Sequence, residues 1–183
     1  MRGLEPLERV VTPPMIQKSP HISSEVGFRL AGLADGEGHF AITHQRRGWN
    51  CRFTIKMRAD DLAILERLVN YVGLGVIYQN ECRPTPGRQN NPAFQWHIGK
   101  KAETLELVHI FEEYPLWSRK AEEFTVWAEA VRYWTDPAWV YGCNRRGHRE
   151  LLLDWTPFED YQRRLLAARK FVLPVELRER VLA

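Results

Sequence analysis

The sequence predicts an α+β domain in which helices cover one face of an antiparallel sheet. Two stretches around Gly48 alternate apolar and polar residues, one led by Phe40 and Ile42, the other by Phe53, Ile55 and Met57. A second alternating pair follows at 76–80 and 94–98, and segments of helical period separate the two pairs and follow them. Alternating strands bury one face and solvate the other, and hairpins segregated from helices belong to α+β folds. The expected order is an αββαββα core with further helices toward the C-terminal end.

The bulk numbers allow this and little more. A chain of 183 residues, 44% apolar, can bury one core. Seven tryptophans and eight phenylalanines exclude a disordered chain. A net charge of +3 permits nucleic acid without arguing for it, so the placement of charge has to decide. Cys51, Cys82 and Cys143 are odd in number and far apart, which makes neither a disulfide framework nor a zinc pattern. The segment CNRRGH at 143–148 offers one Cys and one His where zinc needs about four ligands. No apolar run reaches the length of a membrane span, and the N-terminal residues carry neither a secretory nor a transit pattern. No membrane partner is expected, and an intracellular location is: cytoplasm, nucleoid or an organelle matrix.

Element by element, residues 1–22 hold Pro6, Pro13, Pro14 and Pro20 and read as an extended or partly disordered arm. Residues 23–183 are expected to form a single domain. Ser24 is a good N-cap for a helix from Glu25 to about Asp35, stopping at Gly36 and Gly38. In the first hairpin, His39, Thr43, Gln45 and Arg47 face away from Phe40 and Ile42. After Gly48, Arg52, Thr54, Lys56 and Arg58 face away from Phe53, Ile55 and Met57. Asp60 or Asp61 caps a helix with Leu62, Leu65, Leu68, Val69 and Val72 on one side, ending near Gly73 and Gly75.

A third strand spans Val76 to Asn80. The proline-rich stretch from Glu81 to Pro92 reads as a loop, and Phe94, Trp96 and Ile98 mark a fourth strand. Leu105, Val108 and Phe111 mark a helix closed by Pro115, and Ser118 caps another carrying Phe124, Trp127, Val131 and Trp134. Residues 136–149 read as a basic loop with Arg145, Arg146, His148 and Arg149. A last helix runs from about Pro157 to Phe171, with Tyr161, Leu165 and Ala168 on one side.

Chemistry concentrates at residues 30–38, LAGLADGEG. Ala31, Gly32 and Gly36 are small, so a second helix can approach closely, and Glu37 ends the run just before the basic hairpin. An ordinary amphipathic helix explains Leu30, Leu33 and a terminal glycine. It does not explain the small residues together with an acidic one at this place. The segment resembles the LAGLIDADG motif of homing endonucleases, with Glu37 at its last acidic position, and the likeness in element order extends from about Glu25 to Trp134.

The resemblance implies a site-specific endonuclease that cuts both strands of DNA by hydrolysis. It implies that Glu37, with the carbonyl of Gly36, holds a divalent ion: Mg²⁺, or another such as Mn²⁺, with Ca²⁺ in a complex that does not cut. Magnesium suits oxygen ligands of this kind. A basic residue near the active centre, Arg119 or Lys120, would stabilise charge on the phosphoryl group. One motif per chain implies a homodimer on a long pseudo-palindromic duplex, packed through Leu30, Ala31, Gly32 and Asp35. Asp35 is also read as a helix-end residue bonding locally. One departure is Met57, which stands where some members carry a glutamine.

The polar hairpin faces are the expected readers of sequence, since an antiparallel ribbon fits the DNA major groove. Arg47, Arg52, Lys56 and Arg58 suit guanine edges or phosphates. Thr43, Gln45, Asn50, Thr54 and Gln95 suit base edges, and Tyr78, Asn80 and His97 extend the set. His39 adjoins Glu37 on the same face. Two other readings use the same scaffold: a maturase bound to intron RNA, and a DNA-binding regulator without cleavage. Glu37 speaks against the regulator, because binding alone needs no carboxylate facing phosphate.

Overall fold

The computed structural model describes residues 9–11, 22–45, 48–80, 91–136, 141–143, 149–151 and 154–170. Arg47, residues 81–90 of the expected loop, and most of the expected arm lie outside them.

The first helix, α1 (Ser24–Glu37), starts one residue earlier than expected: Ser23 is its N-cap, and the Ser23 Oγ accepts from the Val26 N–H at 3.4 Å. It also ends later, running through Gly36 to Glu37, and strand β2 (Gly38–Gln45) begins at the next residue. Gly38 has an ordinary φ of −68° and donates its N–H to the Ala34 carbonyl. A Cβ at Gly38 would lie 2.4 Å from that carbonyl oxygen. The chain therefore folds from helix to strand across its own last turn, and only a bare Cα fits. The glycine serves a close approach rather than the left-handed cap that the sequence suggests.

Strand β3 (Gly48–Arg58) returns antiparallel to β2, with Gly38 opposite Ile55 and Gln45 opposite Gly48. A 3₁₀ turn at Ala59–Asp61 leads into α2 (Leu62–Val72), which Gly73 ends in the left-handed region at φ +71°. Asp60 does not cap this helix; it pairs with Arg58 at 2.6 Å. Strands β4 (Val76–Asn80) and β5 (Ala93–Ile98) follow, then α3 (Lys101–Glu113), α4 (Lys120–Thr135) and α5 (Pro157–Ala168). Arg119, not Ser118, is the N-cap of α4, although the Ser118 hydroxyl, one residue earlier, accepts from the Lys120 N–H at 3.1 Å.

Three strands lie where the sequence predicts none. Arg9–Val11 forms β1, antiparallel to β4, so part of the arm joins the sheet. Tyr141–Cys143, inside the stretch read as loop, pairs antiparallel as β6 with β7 (Arg149–Leu151), which starts at the last residue of that stretch; Arg145, Arg146 and His148 lie outside the described residues. Neither segment has a period of its own. β1 is ordered by an open sheet edge, a tertiary opportunity that a local pattern does not encode.

The main sheet has the order β1-β4-β5-β3-β2 and is antiparallel throughout. Its core face presents Phe40, Phe53, Ile55, Trp96 and Ile98 to Leu30 and Ala34 of α1, Leu65 and Val69 of α2, and Trp127 and Val131 of α4. Phe40 is central: the rings of Phe53, Phe111, Phe124 and Trp127 lie 5.0–6.0 Å from it. The Trp96 indole N–H is satisfied by the Leu74 carbonyl at 2.8 Å. Helix α5 closes the free edge of β2, where Gln162 donates to the Ile42 carbonyl at 2.9 Å and Arg169 to the Phe40 carbonyl.

Candidate functional site

Antiparallel partners share a face, so the register assembles the polar side of the sheet row by row. Tyr78, Gln95 and Lys56 form one row across β4, β5 and β3. Val76, His97, Thr54 and His39 form the next, reaching β2. Asn80, Ala93 and Arg58 lie beyond at one end; Arg52 with Ala41, and Asn50 with Thr43, continue toward the β2–β3 turn. Strands β2 to β5 contain no Asp or Glu, and their charged residues are Arg52, Lys56 and Arg58. The modest net charge conceals this segregation, because acidic residues such as Glu25, Glu103, Glu112 and Glu129 sit on helices.

The expected contact residues differ in availability. Gln45 and Lys56 are exposed, and Arg52 is half-buried. Arg58 is exposed but already neutralised by Asp60. Asn50 donates to the Gly99 carbonyl at 3.5 Å, and Asn80 to the Gln95 side-chain oxygen at 3.4 Å. Thr54 is buried between the two histidines, and the Thr43 hydroxyl is buried without a hydrogen-bond partner. His97 packs edge-on to Tyr78 at 6.0 Å; burial, then the charge of Arg52, holds its pKa below the ordinary value. His39 is lowered in the same way, by burial and then by Arg169 and Lys120.

Glu37 is exposed on the last residue of α1, immediately before β2 enters the sheet. The last carbonyls of a helix lack intrahelical partners, and the helix dipole makes this end negative. A carboxylate beside such carbonyls, that of Gly36 among them, is an all-oxygen donor set and fits a hard divalent cation. Among the described residues no three His, Cys, Asp or Glu side chains gather as a metal site.

Asp35 is not a local cap. Its carboxylate accepts from the Trp117 N–H at 2.9 Å, the Ser118 N–H at 3.0 Å and the Ser118 hydroxyl at 2.7 Å, tying α1 to the turn before α4. Burial alone would raise its pKa, but these hydrogen bonds prevail and hold it below the ordinary value. The seam expected on α1 needs a correction as well. Leu30 and Ala31 are buried inside the chain's own core, because their side of the helix faces the sheet. The open side carries Gly32 and Gly36, where added Cβ atoms would meet nothing within 4 Å, together with the half-exposed Phe28. Trp117, whose backbone Asp35 holds, is 87% exposed.

The two expected cations part company. Arg119 donates to the Ala168 and Lys170 carbonyls at 3.3 and 3.1 Å, so it caps the end of α5. Lys120 lies 3.0 Å from Glu123, in the group around His39. Glu123 also binds Arg169 at 2.9 Å. The sequence reading singles out neither Glu123 nor Arg169. A signal exists for the first: Glu123 is four residues before Trp127 on the apolar stripe of α4, where a carboxylate needs partners. Arg169 follows α5 with no pattern to mark it.

Comparison with known proteins bears on this arrangement. The sequence model described as LAGLIDADG endonuclease matches residues 30–131. Probable intron-encoded endonuclease 3 of Neurospora crassa is 29% identical over 110 residues, which is 56% of this chain but 19% of that protein. Among solved structures, the LAGLIDADG meganuclease I-AabMI bound to uncleaved DNA aligns with a TM-score of 0.51 at 26% identity, over 61% of this chain and 38% of that one. The homing endonuclease I-TnaI aligns with a TM-score of 0.51 at 18% identity, over 85% of this chain and 95% of that one, a likeness of fold.

Proposed function

The chain belongs to the LAGLIDADG endonuclease family, and from that premise we propose that it is a site-specific double-strand DNA endonuclease acting as a homodimer. The observation that carries the reading is the sheet: four strands without an acidic residue put Arg52, Lys56 and Arg58 on one face. That face suits a polyanion with readable edges, and β2, which contributes to it, starts directly after Glu37.

Lys56 and Arg52 hold backbone phosphates or guanine edges, and Gln45, Gln95 and His97 address base edges. Glu37 and the Gly36 carbonyl would hold a divalent cation, which when bound supplies phosphoryl polarisation and a hydroxide nucleophile near neutral pH. Lys120, rather than Arg119, is the cation of this reading, because Lys120 stands beside the buried Glu123, whereas Arg119 is turned toward the Ala168 and Lys170 carbonyls at the end of α5. From the start of α4 its ammonium stabilises charge developing on the scissile phosphate.

The homodimer rests on the motif: each strand of a duplex needs its own carboxylate, and the sequence carries the motif once. The open face of α1, with Gly32 and Gly36, is the seam of this reading.

The test incubates the chain with a plasmid library of randomised sites in Mg²⁺ or EDTA, beside Glu37→Gln. Breaks are expected in Mg²⁺ only, none with the variant, and duplex binding by both proteins; sedimentation should give twice the chain mass. A wild type that leaves every site intact would sink the endonuclease reading, and a monomer that cuts both strands would sink the dimer.

A further inference from the structure

Glu123 is 5% exposed, one of the few buried polar or charged residues among those described. Its two oxygens are divided between a cation at the start of α4 and one just past the end of α5: Oε1 takes Lys120 Nζ at 3.0 Å, and Oε2 takes Arg169 Nε at 2.9 Å. Arg169 is held a second time, by the Phe40 carbonyl on the outer edge of β2. The end of α5 is held again from the α4 side, where Arg119 donates to the Ala168 and Lys170 carbonyls. Helix α5 lies beyond residue 131, where the match to the family ends.

Such an arrangement costs desolvation of a carboxylate, and a plain apolar contact would join α4 to α5 at least as well. What it achieves is geometry. Two flexible basic side chains, one on α4 and one just past the end of α5, are fixed relative to each other and to β2 at Phe40, three residues after Glu37 in the sequence. The trio keeps a net positive charge, and each cation retains N–H donors beyond those used internally.

We infer that the basic group at this phosphodiester site is a pair, Lys120 and Arg169, positioned by Glu123, and that α5 thereby completes the site. The inference rests on the endonuclease reading above. Lys120 and Arg169 contact phosphate oxygens flanking or at the scissile position; Glu123 touches no substrate and acts through the two cations.

The test uses full-length chain and the cleavable site recovered from the plasmid library, with a fluorescent mixed-sequence 30-base-pair duplex as the probe of general binding. Arg169→Gln should lower the single-turnover cleavage rate in Mg²⁺ by about 10-fold to 100-fold, the range of one lost transition-state donor or less. It should also flatten the dependence of log K on log salt for the duplex by about 0.9, one phosphate contact. Arg169→Lys should recover much of both. Glu123→Gln, of the same shape, should slow cleavage about 10-fold or more with duplex affinity within about twofold, since positioning and not contact is lost.

Helical content and the unfolding midpoint of each variant separate these effects from loss of fold. If folded Glu123→Gln and Arg169→Gln cut and bind as wild type does, the pair is overturned while the endonuclease reading stands. A decline in cleavage that merely tracks the unfolded fraction overturns it too. If wild type neither cuts nor binds duplex, the endonuclease reading fails and takes the inference with it.

Discussion

Adding one methyl group at neighbouring glycines of the motif should give opposite signs of stability change. In Gly38→Ala the new Cβ would lie 2.4 Å from the Ala34 oxygen, 2.9 Å from its Cα and 3.0 Å from its carbonyl carbon. All three are backbone atoms of the preceding turn, so relief requires moving the end of α1 against β2. Overpacking of this kind costs about 1–3 kcal/mol. At roughly 2–4 °C per kcal/mol for a chain of this size, the midpoint should fall by about 2–12 °C. The φ of −68° is open to any residue, so the whole loss is steric. In Gly36→Ala the Cβ meets nothing within 4 Å, and the position is helical. Alanine is there favoured by about 1 kcal/mol, and the midpoint should rise by about 2–4 °C. Gly32→Ala should stabilise the isolated chain similarly and yet weaken self-association, because its methyl would stand in the seam. Calorimetry at low chain concentration reads the first two, and sedimentation reads the third. A Gly38→Ala protein as stable as wild type would refute the account of the helix-to-strand turn.

Asp35→Ala should cost about 1–2 kcal/mol, as loss of a helix-start acceptor does, and the effect should depend on pH. Because the folded carboxyl has a lowered pKa, its contribution is complete above the ordinary aspartate value near 4, and fades as pH falls through the folded one. Urea midpoints of wild type and Asp35→Asn should therefore converge in acid; a gap unchanged from pH 7 to pH 2 contradicts the assignment. On the sheet, Lys56→Ala should reduce the salt slope of duplex binding by about 0.9. Arg58→Ala should reduce it less, since Asp60 already pairs with that guanidinium at 2.6 Å; equal losses in a fluorescence titration would mean the pair opens on DNA.

Much of this molecule is legible from local pattern, because local pattern is set by physics acting over a few residues. Alternation around Gly48 and again at 94–98 foretells the strands, since the strand period of two shows directly in Phe53, Ile55 and Trp96. The helix behind LAGLADGEG and the left-handed end at Gly73 are visible for the same reason. So is the basic polar face, which the register then assembles from four strands.

What the tertiary structure alone decided are pairings between residues far apart in sequence. Asp35 reads as a local cap, yet it reaches Trp117 and Ser118 because the helix end and that turn meet only in the folded chain. Leu30 and Ala31 sit in a motif of small residues, and only the sheet beneath α1 determines that they face inward while Gly32 and Gly36 face out. Arg119 and Lys120 are adjacent and chemically alike; their roles separate because one helical step points one at the end of α5 and the other at Glu123. Arg169 follows a helix that carries no motif, and its meeting with Glu123 spans 46 residues. Periodicity specifies which side of an element is buried, and the fold specifies which distant group waits there.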